Sequence, residues 1–170
     1  VVVGVDIGGT KVLAGVVDAG GQVRRTAGRT TPGRRVDVHL VEDAVVQAVL
    51  EAADEHPIEA VGVAAAGFVD AAQRSVLFAP HLPWHGEDVR SRLADRWQAP
   101  VVLDNDANAA AWAEWTFGAA RGADTALIVT LGTGIGGSLV IDGRIHRGRN
   151  GMAGEFGHMQ VVPGGLACEC

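Results

Sequence analysis

Tyrosine is absent from this 170-residue chain, lysine occurs once, at Lys11, and cysteine twice, at Cys168 and Cys170. Each scarcity narrows what the chain can do. Aromatic residues are few, at 5%; a net charge of −6 without a basic patch argues against nucleic acid as the main partner. No run approaches the roughly 18 apolar residues of a membrane helix. No basic-then-apolar leader is present either, and a cytoplasmic setting without membrane partners is expected. The two cysteines, one residue apart, are too close for an easy disulfide and suit metal ligation better. The chain starts at Val1 rather than methionine and stops at Cys170 inside a cysteine motif, so it is expected to be part of a longer protein.

What is present is apolar, small and glycine-rich: 48% hydrophobic residues with 24 glycines, the composition of a globular protein with a buried sheet. The first eighteen residues set the pattern. Val1 to Val5 and Val12 to Val17 are β-type runs, joined by Asp6-Ile7-Gly8-Gly9-Thr10-Lys11. Paired glycines permit a tight turn and let backbone N–H groups approach an anion. Lys11 puts the one compact ammonium of the chain beside that turn, as a point charge for phosphate. By itself the motif reads equally as an ordinary hairpin with a solvated lysine. It returns, however, at an offset of 124. There Val3–Asp18 overlays Leu127–Asp142 without gaps, matching Val5, Gly8, Val16 and Asp18 with Val129, Gly132, Val140 and Asp142. One long offset suggests two related lobes whose glycine turns face a single polyphosphate.

Between the two hairpins the pattern alternates strand and helix. A third strand is expected over Gln22–Thr30, then a helix capped by Asp37 and reaching about Glu55, with Leu40, Val41, Ala44, Val45, Ala48, Val49 and Ala52 on its apolar face. Ile58–Ala65 reads as a buried strand leading to Gly67, where glycine allows either a bulge or a ligand's close approach. Arg74–Phe78 is a short strand, 79–85 a proline-bounded loop carrying His81, and 88–97 a helix. The strand 100–103 then delivers Asp104-Asn105-Asp106 to its carboxyl end, before a helix over 107–117; ligands gather at such strand ends. The connection 118–124 is the expected lobe boundary, dividing the chain into 1–120 and 121–170.

Two groups carry chemistry. Asp104, Asn105 and Asp106 offer acceptors for sugar hydroxyls and one base, or serve merely as caps. A carboxylate at a helix N-terminus is expected to keep a low pKa, which phosphoryl transfer tolerates because its loose transition state demands little of a base. Glu155, His158, Cys168 and Cys170 form the second group, in which His158 and the Cys-x-Cys pair offer three of the four ligands of a closed zinc site, or leave two idle thiols.

Together Asp6-Ile7-Gly8-Gly9-Thr10-Lys11, Asp104-Asn105-Asp106-Ala107-Asn108, Leu131-Gly132-Thr133-Gly134-Ile135-Gly136-Gly137 and Gly154-Glu155-Phe156-Gly157-His158 with Cys168-x-Cys170 resemble the ROK family of sugar kinases, and within it the bacterial glucokinases. The resemblance implies an α/β, ribonuclease-H-like fold of the actin and hexokinase type. It also implies ATP with Mg²⁺, phosphorylation of a hexose such as glucose at the 6-hydroxyl, a structural Zn²⁺, and a homo-oligomer at full length. By position Asp106 would be the base, and Asn105, Glu155, His158 and Gly67 would meet the sugar. Asp6 would orient the Mg²⁺–phosphate group, while Gly8, Gly9, Thr10, Lys11, Gly132, Thr133 and Gly134 line the phosphates; His158, Cys168 and Cys170 would hold zinc. His81 stands where many relatives carry asparagine. The family's adenine pocket and remaining cysteines would lie beyond Cys170, so a chain ending there is expected to be inactive. A sugar-responsive regulator of the same family, or a kinase for N-acetylated hexose, mannose or fructose, is the alternative, and polyphosphate is an alternative donor.

Overall fold

The structure is a computed structural model that describes residues 1–132 and 134–165. Its centre is a five-stranded sheet ordered β3-β2-β1-β4-β7, built from β1 (Val2–Ile7), β2 (Lys11–Val17), β3 (Val23–Thr30), β4 (Ala60–Ala65) and β7 (Val101–Asn105). The first three strands form an antiparallel meander; β1, β4 and β7 run parallel, with Val2 opposite Ala60 and Ala65 opposite Asn105. Parallel neighbours need crossovers. The helix α1 (Val38–Ala53) supplies the first, and the small β5 (Phe68–Val69) and β6 (Val76–Phe78) ribbon with helix α2 (Val89–Trp97) supplies the second.

Alternation decides which face is core. Val3, Val5 and Ile7 of β1, Val12 and Ala14 of β2, Val61, Val63 and Ala65 of β4 and Leu103 of β7 are buried together under α1 and α2. Asp37 caps α1 as expected, its carboxylate accepting from His39 N–H. The buried face of that helix is rotated from expectation. Leu40 is 52% exposed, whereas Glu42, with 2% exposure, sits inside. Its carboxylate is held there by the Arg92 guanidinium of α2, since a buried charge without such a partner would cost several kcal/mol.

The strand over 100–103 runs two residues further than expected: β7 includes Asp104 and Asn105, and α3 (Asp106–Phe117) starts at once, with Asn105 as its cap. The packing surface of α3 is a second sheet, ordered β10-β9-β8, formed by β8 (Thr125–Leu131), β9 (Ile135–Ile141) and β10 (Arg144–Ile145). Ala111, Val140 and Ile145 make its small core. The opposite face of this sheet, bearing Leu127, Val129, Leu131, Ile135 and Ile141, is exposed.

Both glycine hairpins are present, but they are not superimposable copies. In the first, Ile7 pairs with Val12; in the second, Leu131 pairs with Ile135, leaving a connection one residue shorter. The turn bonds differ accordingly, Gly8 N–H donating to the Lys11 carbonyl and Gly132 N–H to that of Gly134. The gap-free alignment therefore does not carry over into strand register.

Candidate active site

A cleft of about 790 Å³ opens between the two sheets. Gly8, Gly9 and Thr10 from the first hairpin and Gly132 and Gly134 from the second line it, with Gly67, Asn105, Asp106, Glu155 and His158. Residues spread over 150 positions of sequence thus converge on one concavity, a size typical of small-molecule sites. Asp6 and Lys11 are not among the lining residues; the Lys11 stem lies over Gly28 of β3. Thr133, Cys168 and Cys170 fall outside the described residues.

The first turn is clamped by a residue that motif reading passed over. Thr31 is buried; its hydroxyl donates to the Gly8 carbonyl at 2.7 Å, and its N–H to the Thr10 carbonyl at 3.0 Å. Both carbonyls of the turn are thus paired with Thr31. A threonine directly after a strand was the only sequence signal. Gly9 fits beneath His81, where an added Cβ would lie 2.5 Å from the histidine Cβ. Gly67 likewise answers to packing: a Cβ there would meet the Phe78 carbonyl at 2.7 Å and Ala79 Cβ at 2.9 Å. Its close approach is to β6 and the loop after it, while its own carbonyl accepts from Asn105 Nδ2 at 3.0 Å.

At the head of α3, Asn105 is fully engaged. Its Oδ1 accepts from Ala107 N–H at 2.9 Å and Asn108 N–H at 3.1 Å, while Nδ2 donates to the Gly67 carbonyl and to Asp106 Oδ1, each at 3.0 Å. Capping and carboxylate orientation are therefore one act of one side chain. Asp106, the first helical residue, faces the open cleft.

The low pKa expected of Asp106 is overturned. Desolvation by the cleft walls lifts its carboxyl above the ordinary aspartate value, outweighing the opposing hydrogen bonds from Ala107 N–H, its own N–H and Asn105. The helix N-terminus acts as expected; it is the smaller effect. Glu155 is also raised, chiefly by desolvation, with His158 pulling it down and Asp106 pushing it up. Asp6 is raised by desolvation and then by Asp106. Asp106 is thus the electrostatic centre of three carboxylates that favour the protonated state more than usual.

Glu155 precedes, and His158 ends, a single turn of 3₁₀ helix, Phe156–His158, whose Phe156 packs against Gly137 of β9. That turn sets His158 Nε2 3.5 Å from Glu155 Oε2 and its ring 5.9 Å from the Phe68 ring of the first sheet's ribbon. Asp104 does not reach the cleft. It joins Gln73, Asn108 and Arg147 behind it, a role its place in the motif did not reveal.

A model of the ROK family matches residues 2–170. A glucokinase of Streptomyces coelicolor is 45% identical over 168 residues, covering 99% of this chain and 52% of that protein. A ROK family glucokinase of Streptomyces griseus, solved in complex with glucose and AMPPNP, superimposes with a TM-score of 0.92 at 48% identity, over 99% of this chain and 53% of that one. A xylose repressor of Bacillus subtilis is 36% identical over 110 residues, 65% of this chain and 28% of the repressor. The chain spans about half the length of the glucokinases it matches, and its fold is that of the actin- and hexokinase-like ATPases. No helix among the described residues is long and apolar enough to cross a membrane.

Proposed function

Since this chain belongs to the ROK family, we propose that it forms the sugar-binding half of an ATP-dependent hexose kinase acting on glucose at the 6-hydroxyl. The observation that carries the reading is the convergence of both glycine turns, Asn105-Asp106 and Glu155 with His158 on one cleft. In the transfer the sugar oxygen attacks the terminal phosphorus, the bond to the ADP oxygen breaks, and the hydroxyl proton passes to Asp106. Asn105 holds that carboxylate in orientation. Glu155 and His158 receive other sugar hydroxyls, and Gly8 to Thr10 with Gly132 to Gly134 accept the phosphates on backbone amides. Lys11, outside the lining, contributes at most a longer-range positive field.

Mg²⁺, when bound with ATP, neutralises phosphate charge. Asp6, whose carboxyl is raised by desolvation and then by Asp106, would orient that ion from behind the lining residues. Zinc is proposed on His158, Cys168 and Cys170, a soft N/S set suited to a structural site; the described residues alone contain no group of three side chains able to hold a metal. The lobe boundary at 118–124, the homo-oligomer and the cytoplasmic setting belong to the same proposal.

The repressor match supports a second reading, a sugar-responsive regulator on the same fold. An ADP-release assay on the full-length protein separates the two, using a panel of glucose, mannose, fructose and N-acetylated hexoses with ATP or polyphosphate as donor. Preferred turnover of glucose with ATP is expected. Preference for another hexose corrects the substrate, whereas no turnover together with sugar-dependent DNA binding would replace the kinase by the regulator.

A further inference from the structure

Behind the cleft wall lies a polar network that the transfer does not use. Asp104, at 13% side-chain exposure, collects four donors: Asn105 N–H at 2.9 Å and Asn108 Nδ2 at 3.1 Å on Oδ1, and Gln73 Nε2 at 3.0 Å and the Arg147 guanidinium on Oδ2. Asn108 then accepts from the Ser138 hydroxyl on its Oδ1 at 2.7 Å. Asn108 is 3% exposed and Ser138 fully buried, and neither lines the cleft.

Their positions give the network its meaning. Asn108 stands two residues after Asp106 in the first turn of α3. Ser138 directly follows Gly136 and Gly137 of β9, which line the cleft beside the second glycine turn. Arg147, which comes after β10, approaches the same Asp104 from the second sheet's side. Further along α3, away from Asp106, Ala111 packs on Val140 and Ile145 with Trp115 beside them, and Trp115 Nε1 donates to the Ala123 carbonyl at 2.9 Å; at the Asp106 end the polar link to that sheet is the Asn108–Ser138 bond. Hydrogen bonds are directional, and the buried Asn108 amide, bonded to Asp104 through Nδ2 and to Ser138 through Oδ1, favours one geometry.

We infer that Asn108 is a positioning residue for the phosphoryl transfer proposed above: by bridging Asp104 to Ser138 it fixes the distance between Asp106 and the second glycine turn. The inference rests on the kinase reading. Because the bridge sets donor against acceptor without touching either, its loss is felt in the transfer step and little in binding. A misalignment of about 1 Å costs on the order of 100-fold in rate.

The test uses Asn108→Ala, Asn108→Asp, Ser138→Ala and the double variant Asn108→Ala/Ser138→Ala in the full-length protein. Each single change should lower kcat by roughly 10- to 100-fold while KM for hexose and ATP stays within about threefold. The double variant should be little worse than Asn108→Ala, because both side chains make one bridge. Asn108→Asp adds a readout that a purely structural role would not move. Ionised, it sets a second carboxylate against Asp104, with Arg147 as the nearby cation and Asp106 two residues away. Protonated, it can again donate to Asp104 and accept from Ser138. Its kcat relative to wild type should therefore rise as pH falls from about 8 to about 6. Variants with kcat within twofold of wild type, losses confined to KM, a flat pH ratio, or failure of all the variants to fold would each overturn the positioning role. A wild-type protein without turnover would instead overturn the kinase reading on which it rests.

Discussion

Replacing Asp106 by asparagine should move activity and stability in opposite directions. Asparagine keeps an oxygen for Asn105 Nδ2 and Ala107 N–H, the two side-chain contacts at Oδ1, so the start of α3 persists. What disappears is the proton acceptor. General-base catalysis contributes ~10²–10⁴ in rate, about 3–5 kcal/mol on the barrier, and kcat should fall by that factor with hexose binding largely kept. The stability effect follows from the raised carboxyl. A carboxyl that binds its proton more tightly folded than unfolded loses stability for the protein as pH rises from the unfolded aspartate value of about 3.9 through the folded value, and the loss is complete above it. Asp106→Asn removes that loss and relieves Asp6 and Glu155, both raised in part by Asp106. Its thermal midpoint should therefore exceed that of wild type at about pH 7, with the difference vanishing near pH 3, where the aspartate is protonated in both states. Coupled ADP release on the full-length protein gives the first quantity, and melting curves at the two pH values give the second. Turnover within about threefold of wild type would refute the base assignment. A lower midpoint at neutral pH would refute the dominance of desolvation over the helix-terminal hydrogen bonds.

Thr31→Val, which removes the donor to the Gly8 carbonyl, should raise KM for ATP several-fold and cost about 1 kcal/mol of stability. Thr31→Ser should restore both, and an unchanged KM would show that the clamp does not shape the phosphate turn. Gly67→Ala should destabilise by about 1–3 kcal/mol through the Phe78 carbonyl and Ala79; an unshifted urea midpoint would contradict this packing role. Metal analysis of the full-length protein should find about one zinc per chain, lost on His158→Ala, and a well-folded protein free of zinc would reject the site. Residues 1–170 expressed alone should bind a hydrophobic dye through Leu127, Val129, Leu131, Ile135 and Ile141, an exposed apolar face larger than isolated surface residues. Persistence of that signal in Leu127→Lys/Val129→Lys would point to another surface.

Local physics made much of the molecule legible from residues alone. β-type runs around glycine-containing turns specify both hairpins, and Asp37 and Asn105 stand where helix starts need side-chain acceptors. Each of these depends on neighbours a few positions away. The site motifs were legible for the same reason, because each is a contiguous string, and the fold brings most of their described residues to one cleft. Everything that depends on which strings become neighbours was decided only in three dimensions. The turn of α1 that buries Glu42 and exposes Leu40 follows from Arg92, fifty positions away. The one-residue difference between the hairpins is a matter of pairing register, not composition. Asp104 and Asp106, two positions apart in one motif, part company because one meets Arg147 and Gln73 behind the wall while the other meets the cleft. The raised carboxyl of Asp106 is the clearest case: sequence placed it at a helix N-terminus, which lowers a pKa, and tertiary structure set it at the open cleft, where desolvation outweighs the hydrogen bonds of the helix start. Hydrogen bonds to a helix start are local; desolvation is a property of the whole surrounding surface.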